Sequence, residues 1–289
     1  MSVVRRGIPG PGRRWSAVAI VAVATVVSFG LASTPVQAVT TPGPIVGGGQ
    51  HAPFIGTSTS VRSGTSSSVS PNWAGFAATG APVTSVAGDW TQPAATCPST
   101  KLQQSAFWVG IDGFAATDHT VEQVGTDADC TKALKKVPSH PVYYAWYEMV
   151  PGPLMTLDLA HHPVLPGDAL SASVSVAGSV YTLSISDPTE SWSYSINQTV
   201  TTTPLPSNSS AEWIAEAPCS GSTCKVLPLA DFGAVTFSGA AVNGGPVNAP
   251  GLTDHLITMS KKKTGASPKA STSPLDGSGH SFTINWLTN

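Results

Sequence analysis

Charge is scarce in this chain. Only 10% of its 289 residues are Asp, Glu, Lys or Arg, and acidic residues outnumber basic ones by 16 to 14; nucleic acid is not expected as a partner, because phosphate binding needs a basic face. The one run of three cations, Lys261-Lys262-Lys263, sits among Ser, Gly and Pro and reads as a solvated loop. Cysteine is also sparse, at four residues with no Cys-x-x-Cys pair, so a zinc site or redox motif is not expected. Common hydrolytic signatures are missing too. There is no Gly-x-Ser-x-Gly elbow, no His-Glu-x-x-His helix, and no Asp-Thr-Gly or Asp-Ser-Gly loop.

Long apolar runs are absent except for one. Trp15–Leu31 follows Arg5, Arg6, Arg13 and Arg14 and is followed by the small-residue site Val36-Gln37-Ala38. Residues 1–38 are thus expected to be an export signal cleaved after Ala38, leaving a secreted, extracellular chain with no stable membrane association. That segment carries four of the 14 basic residues and none of the 16 acidic ones. The remainder has 10 basic against 16 acidic side chains, a formal charge of −6. In an exported chain Cys97, Cys130, Cys219 and Cys224 suggest two disulfides. Three connectivities are possible, and the short Cys219–Cys224 spacing favours that pair together with Cys97–Cys130.

Residues 39–70 are rich in Gly, Ser, Thr and Pro, and are expected to be a linker or propeptide rather than a packed element. From residue 71 to 289, short β-branched and aromatic runs alternate with turn residues. Examples are Pro141–Met149, Leu170–Ala177, Val180–Ser186, Ala211–Ala217, Ala234–Phe237 and Ser281–Leu287. Such spacing predicts one all-β domain, an antiparallel sandwich, with 261–279 as a polar loop.

Side chains alternate across a strand, so parity assigns faces. Trp108, Gly110 and Asp112 share one face; so do Gln123, Gly125 and Asp127, and so do Tyr144, Trp146 and Glu148. A tryptophan beside carboxylates and an amide suits a binding cleft better than a plain solvated face. Glu212 and Glu216 also share a face, but roughly 13 Å apart along one strand they are not a direct pair.

Six segments then carry a resemblance. They are Ser70-Pro71-Asn72-Trp73-Ala74-Gly75, Phe107-Trp108-Val109-Gly110-Ile111-Asp112-Gly113, Glu122-Gln123-Val124-Gly125-Thr126-Asp127, Tyr144-Ala145-Trp146-Tyr147-Glu148, Ala211-Glu212-Trp213-Ile214-Ala215-Glu216 and Ala230-Asp231-Phe232-Gly233-Ala234-Val235-Thr236-Phe237. Their kind and order resemble the glutamic endopeptidases, or eqolisins. The resemblance implies a lectin-like sandwich of two sheets with its active site on the concave face. It implies Glu216 and Gln123 as the catalytic dyad, with Trp73, Trp108, Asp112, Asp127, Trp146 and Glu148 lining the substrate cleft. Ala217-Pro218 and Met149 depart from the family pattern at positions that bear on substrate preference.

The chemistry is consistent with that implication. Amide hydrolysis needs a base for water, a donor for the oxyanion and an acid for the leaving amine. Glu216 can serve as base and then acid, and the Gln123 amide can donate to the oxyanion. No metal or cofactor is required. The expected partners are protein or peptide substrates, and the expected state is a monomer. Two rival readings are a glycoside hydrolase using paired carboxylates and a non-catalytic carbohydrate-binding sandwich.

Overall fold

The structure is a computed structural model and describes residues 49–62, 65–98, 101–131, 139–201, 205–221 and 223–289. The expected export signal and the first part of the expected linker lie outside the described residues.

The described chain is built of strands. They are β1 (Thr57–Arg62), β2 (Thr65–Ser70), β3 (Trp73–Thr79), β4 (Ser85–Thr91), β5 (Ala106–Ile111), β6 (Val121–Cys130), β7 (Pro141–Val150), β8 (Met155–Thr156) and β9 (Ala169–Ala177). After these come β10 (Val180–Asp187), β11 (Trp192–Thr199), β12 (Ser210–Glu216), β13 (Cys219–Ser220), β14 (Lys225–Val226), β15 (Ala234–Val242), β16 (Thr253–Ser260), β17 (Pro268–Thr272) and β18 (Phe282–Trp286).

The hydrogen-bonded order is β11-β10-β9-β4-β15-β18-β17-β16-β3-β12-β5-β6-β7-β8. This ribbon folds over so that β5 and β6 pack on β4, β9 and β10, and β12 packs on β4 and β15. The two expected layers are therefore present, but β16, β17 and β18 join them into one continuous ladder. Between the layers, Phe107, Val109, Val124 and Trp213 meet Val86, Val174, Leu183 and Phe237 in one buried cluster. Trp213 crosses from β12 to β4, where its Nε1 donates to the Ala87 carbonyl at 2.7 Å. The residue it lies against is Gly88, where a Cβ would stand 2.8 Å from the indole. A fully buried indole of this kind contributes on the order of 3–5 kcal/mol on truncation to Ala.

Two expectations need correction. Residues 39–70 were expected to lack packed elements, yet the described part holds β1 and β2, and β2 pairs in parallel with β16. A Ser/Thr strand gives no apolar period, but its backbone is satisfied by the partner strand. Likewise the polar stretch 261–279 contains β17, paired on one side with β16 and on the other with β18. Ala270 is buried at its centre. Both expected disulfides are formed, Cys97–Cys130 and Cys219–Cys224.

Candidate active site

The face of β3, β12, β5, β6 and β7 turned away from the main core holds a second apolar cluster, including Trp73, Trp108, Tyr144, Trp146 and Ile214. Cross-strand register arranges it in rows, because directly opposed residues point to the same side. One row runs Ile214, Trp108, Gly125, Trp146. A second runs Glu212, Gly110, Gln123, Glu148, and a third runs Glu216, Ala106, Asp127, Tyr144. The glycines make room for the indole between them. A Cβ at Gly125 would lie 2.5 Å from the Trp108 Cβ, and one at Gly110 would lie 2.9 Å from Trp108 Cζ3. Trp108 is thereby placed with its Nε1 donating to Glu216 Oε2 at 2.9 Å.

Glu216 is fully buried. Its other oxygen, Oε1, accepts from the backbone N–H of Ala52 at 3.0 Å. Burial pushes its pKa up to about 8, against the opposing pull of the His51 cation and of these two donors; Glu148 adds to the rise. Gln123 is equally buried, and its Nε2 donates to Glu148 Oε2 at 3.3 Å. Its Oε1 has no hydrogen-bond partner. Gln123 and Glu216 thus share one face without bonding directly to each other, each engaged by a different neighbour.

That neighbour system centres on His51, which sequence reasoning did not single out. Its ring stacks on Trp146 with centroids 3.8 Å apart. Nδ1 lies 3.2 Å from Glu148 Oε2, and Nε2 lies 3.3 Å from Asp127 Oδ1, the latter an ion pair rather than an aligned hydrogen bond. Burial alone would lower the His51 pKa. Asp127, supported by Glu148 and Glu216, outweighs it and holds the imidazole well above its ordinary value.

Behind Asp127 runs a polar chain. Trp146 Nε1 donates to Asp127 Oδ1 at 2.6 Å, and Gln104 Nε2 donates to Asp129 Oδ2 at 2.7 Å. Tyr144 Oη stands 2.8 Å from Asp127 Oδ2 and 2.9 Å from Asp129 Oδ2. A phenol has one proton to donate, so one of these contacts needs a protonated carboxyl. Asp129 supplies it: burial, then the charge of Asp127, raises its pKa well above the usual range. Tyr144 and Asp129 are further site residues. Parity places Tyr144 with Trp146 and Glu148, and the same alternation continued along β6 places Asp129 with Gln123 and Asp127.

Trp73 joins the site edge-on to Trp108, at 5.0 Å, and donates from Nε1 to the Ala52 carbonyl at 3.0 Å. Asp112 does not join it. The residue lies just past the end of β5 at φ 71°, where strand parity no longer applies. Its carboxylate accepts from the backbone N–H groups of Asn208 and Ser209 at 2.7 and 2.6 Å, pinning that loop. Burial raises its pKa, those two donors oppose the rise, and Asp118 adds to it. Glu212 is fully buried in the Gln123 row with neither oxygen hydrogen-bonded, and burial holds it protonated well above the carboxylate range.

A family model, the Peptidase A4 family, matches residues 71–284. The chain therefore belongs to that family and is a glutamic-type endopeptidase. A search of curated proteins by sequence finds no match. Among solved structures, scytalido-glutamic peptidase with a transition state analog inhibitor aligns at TM-score 0.61 and 21% identity, over 75% of this chain and 98% of that one. SCP-B, a member of the eqolisin family in complex with the tripeptide Ala-Ile-His, aligns at 0.57 and 20% over the same shares. Aspergilloglutamic peptidase from Aspergillus niger aligns at 0.51 and 25%, over 64% of this chain and 99% of that one. The first two likenesses concern the fold alone.

Proposed function

We propose that this chain is a secreted acid endopeptidase in which Glu216 and Gln123 form the catalytic dyad. The observation that carries the reading is a fully buried carboxylate held by an indole N–H and a peptide N–H, on the same face as a buried glutamine with a free amide oxygen. In the reaction, ionised Glu216 takes a proton from water as the water adds to the scissile carbonyl carbon. The Gln123 amide N–H donates to the developing oxyanion, and Glu216 returns the proton to the leaving nitrogen. Trp73, Trp108, Trp146, Asp127 and Glu148 line the substrate path, and Asp112 acts only by holding the loop beside it.

Export is supported by the N-terminal pattern and by two disulfides, which persist in oxidising compartments. No helix among the described residues is long and apolar enough to cross a membrane. An acid optimum follows from a carboxylate base whose exposed pKa lies near ~4.3. The raised value of Glu216 comes from its burial, against which His51 and Ala52 pull downward; solvent reaching the carboxylate relieves that burial and returns it toward the ordinary range.

Cleavage of an internally quenched peptide in acid, by wild type and by Glu216→Gln, tests the dyad. Full activity in the variant removes it. A polysaccharide substrate in the same assay tests the carbohydrate readings, which give Gln123 no role.

A further inference from the structure

The segment Gly49–Ile55 lies across the site in the manner of a bound peptide. Gln50 forms a two-way backbone bridge with Cys219, each N–H donating to the other's carbonyl at 2.8 Å. Ala52 donates its N–H to Glu216, and its carbonyl accepts from Trp73 Nε1 at 3.0 Å and Asn72 Nδ2 at 3.4 Å. Phe54 donates to the Gly113 carbonyl at 2.9 Å and packs on Phe114, with ring centroids 4.8 Å apart. Between these anchors the imidazole of His51 is buried, stacked on one indole and flanked by two carboxylates.

A cation is costly to bury unless charge and hydrogen bonds compensate it. The pocket of Trp146, Asp127 and Glu148 supplies both, with an aromatic face that itself favours a cation. Neither carboxylate has a lysine or arginine ion-pair partner among the described residues. An uncharged occupant would leave Asp127 with its Trp146 and Tyr144 donors and Glu148 with Gln123, but neither with an opposite charge. Nothing in the packing of the β-sandwich demands an imidazole there.

We infer that residues 49–55 are a tethered peptide ligand of the cleft, and that Trp146, Asp127 and Glu148 form a subsite for a cationic side chain, above all an imidazolium, of a peptide substrate. The inference rests on reading this face as the substrate cleft. In the tethered state the Ala52 N–H occupies the oxygen of Glu216 that water would need, so the segment holds the site inactive. A substrate carrying a cation next to the bond it presents to Glu216 competes for the same pocket.

Calorimetry on the full-length His51→Ala chain, at about pH 5.5 where imidazole is charged and ordinary carboxylates are ionised, tests this with the heptapeptide Gly-Gln-His-Ala-Pro-Phe-Ile. The expected result is saturable binding. The same peptide with Ala in place of His should bind on the order of 10- to 100-fold more weakly, the worth of charge-assisted hydrogen bonds. Equal affinity for the two peptides overturns the subsite. Hydrogen exchange in the unaltered chain gives an independent reading. The Gln50, Ala52 and Phe54 amides should exchange much more slowly than in the free heptapeptide, and Glu148→Gln should speed them. Exchange at free-peptide rates overturns the tethered ligand. Hydrolysis of an unrelated reporter peptide is followed on the same preparations. The dyad is read separately, from reporter hydrolysis by the His51→Ala chain with and without Glu216→Gln: equal hydrolysis removes the dyad and leaves the subsite, whereas hydrolysis lost with Glu216→Gln but binding indifferent to histidine does the reverse.

Discussion

Replacing Glu122 by Gln should make the protein more stable at neutral pH while leaving it unchanged in acid. Glu122 lies on β6 with parity opposite to Gln123, so it is not part of the catalytic face, and it is 1% exposed. Burial, with the charges of Asp112 and Asp118 behind it, pushes its pKa from 4.5 up to about 9. The folded state therefore holds this proton more tightly than the unfolded chain does. The associated stability is fully present below the unfolded value and is lost as pH rises through the folded one. At about 1.4 kcal/mol per unit, the whole window from 4.5 to about 9 corresponds to at most about 6 kcal/mol. That is a large part of the ~5–15 kcal/mol that holds a domain together. Glutamine has the same shape and no charge, so it removes the dependence without removing the packing. Urea midpoints at roughly pH 4, 6 and 8 should nearly coincide for the two proteins at the first value and diverge at the last, the variant being the more stable by a few kcal/mol. Parallel curves for wild type and variant would refute the reasoning. Glu216, raised to about 8, pulls in the same direction, so a residual slope in the variant is expected.

Three more outcomes follow from the site. Glu216→Gln and Gln123→Ala should each retain the fold and lose roughly 10²–10⁴-fold in kcat/KM, with wild-type activity indifferent to chelators, serine reagents and pepstatin-type inhibitors. Trp108→Phe keeps most of the ring but removes the N–H that lowers the Glu216 pKa; the acid limb of the kcat/KM profile should move to higher pH, and an unmoved limb would deny that contact a tuning role. N-terminal sequencing of the secreted form should show that residues 1–38 are gone and that β2 is kept, since removing all of 39–70 would strip a strand from β16; a start at Pro71 would contradict this.

How much of this was legible beforehand depends on whether the signal is local. The face shared by Gln123, Asp127, Trp146 and Glu148 follows from alternation along single strands, which a sequence displays directly. Which residue lies opposite which does not. That Gly125 stands between Trp108 and Trp146, or Gly110 between Glu212 and Gln123, is fixed by the pairing register of β5, β6, β7 and β12. Register is set by the whole buried face and its turns, so the glycines' purpose of clearing space for an indole is visible only in three dimensions. Asp112 was misplaced for the opposite reason: one positive φ ends the alternation on which its face was assigned. β2 and β17 were hidden because serine, threonine and lysine carry no apolar period, and these strands exist through partners on neighbouring strands. His51 is the extreme case. Its segment is Gly-rich and aperiodic, its partners lie 76 and 97 positions away on β6 and β7, and only the folded face brings together the two carboxylates that make a buried cation tolerable. A lone histidine in a loop is ordinarily a solvated residue; here the acidity of the face it meets decides otherwise, and that acidity is the property a peptide substrate would encounter in its place.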